Sequence, residues 1–153
     1  WLKVVQEMAE RSFTLEQLLD FYQNTLPRYM PHFAPCMHRT VDVVRQAIIP
    51  HSRNIAHACS KKFVERTAVQ KDSKPTMVTH NWSNLFRDLV AAIVADACGE
   101  PTFMLIGHLL DNDFSALKRL LSPEDLAKTY WVCAFSVNQH TSICHLAFPW
   151  ERD

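Results

Sequence analysis

Glycine is nearly absent: two in 153 residues exclude collagen-like and glycine-rich linker architectures. Net charge is missing too. Sixteen Lys and Arg balance sixteen Asp and Glu, so no overall field draws the chain to nucleic acid or an anionic surface, and nucleic acid is not expected as a partner. No stretch approaches the roughly 18–20 apolar residues of a bilayer crossing; the longest, Leu89 to Cys98, is interrupted by Asp96. The five cysteines (Cys36, Cys59, Cys98, Cys133 and Cys144) are odd in number and contain no C-x-x-C pair. They do not read as a disulfide framework, and an intracellular, reducing compartment is expected.

What is present is a globular composition. Apolar residues make up 48% of the chain and charged ones 21%, and this length suits one domain with a real core. The chain opens at Trp1 and closes on Glu151, Arg152 and Asp153 without a tapering polar tail, so it is expected to be a piece of a longer protein, truncated at its carboxyl end.

Residues 1–68 read as a helical amino-terminal region. Leu2, Val5, Met8 and Ala9 recur at helical spacing, and Thr14 with Gln17 forms a capping box ahead of Leu15, Leu18, Leu19 and Tyr22. Pro27, Pro31 and Pro35 predict an irregular connector from Leu26 to Cys36 that no helix crosses. A further helix is expected after Thr40, through Val41, Val44 and Ile48, ended by Pro50. A polar helix from Ser52 to Thr67 and an exposed loop over Gln70 to Lys74 complete this part.

Residues 76–153 carry the fold signal. Thr76 to Thr79 is β-prone, and Asn81 or Ser83 is placed to cap a helix through Leu85 to Ala97 that Gly99 stops. Short strand residues are expected at Phe103 to Ile106, then a helix around Ser115 to Leu121. Ser122, Pro123 and Asp125 supply the cap, first-turn proline and third-position acid of one more helix. Tyr130 to Val137 reads as a strand buried on both faces. This order predicts an α/β fold, a small parallel sheet with helical crossovers.

Ligands of parallel sheets gather beyond the carboxyl ends of the strands. Two polar clusters fall there: His80, Asn81 and Trp82 after one strand, and Asn138, Gln139 and His140 after the other. They suit either a binding site or loop-fixing side chains bonded to backbone. Trp82 and Trp131 read as packing anchors or, alternatively, as the aromatic wall of a pocket. Zinc is a separate reading, with Cys36, His38, His140 and Cys144 as ligands drawn from two loops. Cys133, inside the expected strand, reads as core. Asp88 is expected either to pair with Arg87 or to be solvated, and Asp111 to Asp113 to serve a turn or helix entry.

The strings MVTHNWSNLFRDLVAAIVADA (Met77 to Ala97) and TYWVCAFSVNQH (Thr129 to His140) resemble a large family found in dinoflagellate algae. More distantly, the Thr-His strand end, the Asp-Leu helix and the later Trp-to-Asn-Gln strand are similar to Toll/interleukin-receptor-like and fungal heterokaryon-incompatibility domains. The resemblance implies a flavodoxin-like core whose strand ends line a pocket or a self-association surface, with His80, Trp82, Asn138 and Gln139 at the matching positions. Some members of that superfamily cleave nicotinamide dinucleotides with a glutamate beyond the second strand. No glutamate here has that spacing, and Cys133 stands after Val132 where the heterokaryon-type pattern has an acid.

The expectation is therefore a non-catalytic interaction, signalling or assembly-subunit module that contacts other protein chains within a larger complex. The alternatives are a nucleotide-processing enzyme whose glutamate lies beyond Asp153, and a zinc-stapled structural domain.

Overall fold

A computed structural model of the chain describes residues 11–52, 74–137 and 139. The architecture is mixed α/β, with a small sheet packed among helices. The first strand, β1 (Phe13–Thr14), passes directly into α1 (Leu15–Asp20). The expected capping box forms there: Gln17 N donates to Thr14 Oγ1 at 3.2 Å, and Thr14 N donates to Gln17 Oε1 at 2.9 Å.

Helical structure does not stop at Leu26. A π-helical segment, Phe21–Thr25, carries it into α2 (Leu26–Tyr29), through Pro27. The same device recurs where α3 (Thr40–Val43) passes through a π segment, Val44–Ile48, into α4 (Ile49–His51), through Pro50. In each case the residue before the proline donates five residues back: Leu26 N to Phe21 O, and Ile49 N to Val44 O. The widened turn moves the preceding carbonyls out of α register, so the ring meets no carbonyl where a regular helix would place one. The connector expected to begin at Leu26 therefore begins at Met30, and Pro50 lies inside its helix instead of ending it.

After β2 (Thr76–Val78) come four helices: α5 (Phe86–Cys98), α6 (Met104–Asn112), α7 (Phe114–Leu120) and α8 (Pro123–Ala127). Neither Asn81 nor Ser83 caps α5. Its cap position is Leu85, and Phe86 N donates instead to His38 O at 3.1 Å. Phe103 to Ile106, expected as strand residues, enter α6, because burial of Ile106 and Leu110 requires one helical face. Asp113 caps α7 by accepting from Ala116 N at 2.8 Å, and Ser122 with Asp125 forms the capping box of α8. Arg87 holds Asp88 and Asp111 at 2.7 and 2.9 Å, so Asp88 is an ion-pair residue.

Gly99 ends α5 in the left-handed region, φ +71°, with Glu100 N donating back to Ala95 O. Apart from its chain neighbours, no atom of the described residues lies within 4 Å of where its Cβ would stand, so among them Gly99→Ala costs backbone energy alone. The expected loss is about 1–2 kcal/mol, read from the urea midpoint at constant slope.

The last strand, β3 (Thr129–Val132), is central in the order β1-β3-β2. It pairs antiparallel with β1 and parallel with β2, in register Thr76↔Tyr130, Met77↔Trp131 and Val78↔Val132. The sheet is thus mixed, not wholly parallel, and residues 13–14 supply one of its edges. The expected strand to Val137 stops at Val132, and Cys133–Ser136 is a helical turn, α9. Pairing with β1 reaches only to Phe13 and pairing with β2 only to Val78, so beyond them the backbone of β3 turns to side chains. Val132 N donates to Ser136 Oγ at 3.3 Å, and Cys133 O accepts from Gln139 Nε2 at 2.6 Å.

One core unites these elements. Its centre is aromatic: Phe135 meets Phe13 and Phe21 edge-on, each at 5.2 Å between centroids, and Phe86 lies at 6.2 Å. Tyr22 stacks on Phe86 and Phe114 with its hydroxyl buried and lacking a hydrogen-bond partner among the described residues. Tyr22→Phe keeps the ring and removes that desolvated oxygen, so stability is expected to rise by about 1 kcal/mol. A fall in the thermal midpoint would contradict this reading. Among the described residues, no helix is long and apolar enough to cross a membrane.

Candidate functional site at the strand ends

Because β2 and β3 run parallel and in register, their carboxyl ends open on one rim. His80 stands two residues beyond Val78, and Cys133 follows Val132 directly. The two side chains meet there. Cys133 Sγ lies 3.8 Å from both His80 ring nitrogens. Both residues are half-buried, and Trp82 closes one side, its ring edge-on to His80 at 4.9 Å.

The loop from Thr79 to Leu85 is sewn to the segment entering α3. Thr40 N donates to Asn84 O at 2.8 Å, Val41 N to Trp82 O at 3.1 Å, and Arg39 bridges Leu85. This backbone stitching fixes where His80 and Trp82 point. Trp82 also packs on the core, as expected of an anchor. Asn81 is exposed, and its Oδ1 accepts from Ser83 N at 2.9 Å, the local turn bond of a loop-fixing residue.

On the second strand the expected cluster is only partly described. Gln139 is 2% exposed, and its Nε2 donates to Cys133 O, closing the α9 turn. Asn138 and His140 lie outside the described residues. The rim expected from His80 and Asn138 is therefore built, in its described part, from His80, Trp82 and Cys133.

Cys133 is the residue that sequence reasoning placed wrongly, as buried strand core. The available signal was length: Thr76 to Val78 is a short apolar run, and a parallel partner can be satisfied only over the length it faces. Truncating β3 at Val132 moves Cys133 from strand interior to strand end.

Burial pushes the Cys133 thiol above the ordinary cysteine value, while the backbone N–H groups of Ala134 and Cys133 act in the opposite sense. Burial also lowers His80 below the usual histidine value. At neutral pH the pair accordingly rests as a neutral thiol beside a neutral imidazole.

The zinc ligands are divided. Cys36 is exposed, and His38 accepts from Ala34 N through Nδ1 at 2.8 Å; His140 and Cys144 lie outside the described residues. Among the described residues, no group of three or more His, Cys, Asp or Glu side chains could hold a metal ion.

The opposite, amino-terminal edge of the sheet carries a cleft of about 570 Å³ lined by Lys74, Thr76, Asp96, Lys128 and Tyr130, among others. Three of its polar side chains are hydrogen-bonded. Tyr130 Oη donates to Asp96 at 2.9 Å, and Lys128 Nζ bonds the Ala97 carbonyl and Asp125. Burial and the Asp96 contact push the Tyr130 phenol well above its ordinary value.

No family model, curated protein or solved structure matches this chain.

Proposed function

We propose that the chain is a non-catalytic interaction or assembly module with a Toll-like, flavodoxin-type core and a helical amino-terminal region, acting on other protein chains in a reducing compartment. The observation that carries this reading is the parallel register of Val78 and Val132, which brings His80, Trp82 and Cys133 to one rim. A tryptophan held half-buried on a rigid edge offers the large, ordered contact area on which interface energy concentrates. Phe103, Met104, Leu105 and Leu120 add exposed apolar surface outside the core, Met104 being 79% exposed.

A second copy of the chain is the partner to test first. Sedimentation velocity up to about 100 μM, where weak contacts become populated, is expected to show concentration-dependent association. Thr79→Arg, an exposed change at the rim, is expected to weaken it at least tenfold, about 1.4 kcal/mol. A monomer throughout, or association indifferent to Thr79→Arg, would overturn the rim as the interface. Nicotinamide released from NAD by the protein would instead favour nucleotide processing.

A further inference from the structure

Three free thiols lie among the described residues, in three different settings. Cys36 is exposed, while Cys98 and Cys133 are half-buried. Burial raises the pKa of both half-buried thiols. They differ in their neighbours. The charged groups acting on Cys98 are Asp125, Lys128 and Glu100, with no imidazole among them. Cys133 has His80 at 3.8 Å, held in place by the Trp82 ring and the stitched loop.

A thiol exchanges with a disulfide only as thiolate, so a half-buried thiol reacts slowly unless a base receives its proton. His80 is such a base: it is neutral at pH 7 and its ring packs against Sγ, so that turning the imidazole aims one of its two nitrogens, both 3.8 Å away, at the thiol.

We infer that Cys133, paired with His80, is a site of thiol–disulfide exchange with small aliphatic disulfides, forming a mixed disulfide at the carboxyl rim of the sheet. The proton on Cys133 Sγ passes to a ring nitrogen of His80. The thiolate attacks one sulphur of the disulfide, a Cys133–sulphur bond forms and the reagent's S–S bond breaks. The departing thiolate takes the proton from the imidazolium and leaves as a free thiol. One thiol is consumed and one released, so atoms and electrons balance without a further oxidant. Half-burial restricts the site to slender reagents, whereas Cys36 accepts bulky ones as well. This inference does not depend on self-association.

The test is peptide-resolved mass spectrometry of the folded chain exposed to 2-hydroxyethyl disulfide. Cys133 is expected to be modified at least about tenfold faster than Cys98 at pH 7, the lower range of general-base assistance. Between about pH 6.5 and 8, its rate is expected to stay nearly flat, because the neutral thiol–imidazole pair is the reacting form. An unassisted thiol gains about tenfold per pH unit over the same range. His80→Gln is expected to slow Cys133 about tenfold and leave Cys36 and Cys98 unchanged. Accelerated modification of Cys98 would identify a misfolded variant, and the wild-type rate ratio and pH profile then decide. Equal rates at Cys133 and Cys98, or a Cys133 rate climbing with pH as a bare thiol's does, would overturn the inference.

Discussion

Replacing Phe135 with Ala lowers the unfolding free energy by about 3–5 kcal/mol. Phe135 is 2% exposed and is the ring on which Phe13 from β1, Phe21 from the first π segment and Phe86 from α5 converge. Those contacts come from three separated parts of the chain, so no single element can collapse to fill the cavity. The loss has two parts, the transfer of an aromatic side chain out of the core and the residual void. Against a total stability of about 5–15 kcal/mol for a domain of this kind, this is a large fraction. A urea titration followed by far-UV circular dichroism measures it, and a loss below about 1 kcal/mol would show that Phe135 is not central to the core.

The second large effect is expected at Ser136. Its hydroxyl is buried, 0% exposed, and accepts from Val132 N, the last amide of β3. Ser136→Ala leaves that amide without the partner, in surroundings that exclude water, for an expected loss of about 1–3 kcal/mol. The serine ends the strand by taking over the hydrogen bond that a longer β1 would have supplied, since Val132 points its N–H to the same side as Lys128, whose carbonyl accepts from Leu15 N. Amide hydrogen exchange at Val132 is the direct check. Protection there should fall in Ser136→Ala while protection in α5 follows only the global stability change. Unchanged protection at Val132 would show that the hydroxyl is not its partner in solution.

The elements read correctly from the chain share one property: their signals are local. Thr14 with Gln17 and Ser122 with Asp125 close capping boxes within three residues. Gly99 stops α5 because only a glycine takes φ +71° without strain. Asp113 enters α7 as a cap, and Asp88 pairs with its neighbour Arg87. The misread elements depend on distant partners or on an unusual backbone register. Proline at positions 27 and 50 reads locally as a stop, but a π-helical turn before each carries the helix past it. Phe103 to Ile106 is apolar enough for a strand, yet among the described residues no strand pairs with it, and the helix buries Ile106 instead.

Composition and short-range pattern alone determined that this is a globular α/β chain, that Thr76 begins a strand, and that His80 and Trp82 follow its end. Those properties come from residues a few positions apart. Tertiary structure decided that β3 stops at Val132, that Gln139 turns inward, and that Cys133 meets His80 across 53 residues of sequence. The physical reason is that a strand ends where its partner ends, and the length of β2 is felt at Cys133 only after the two segments have paired.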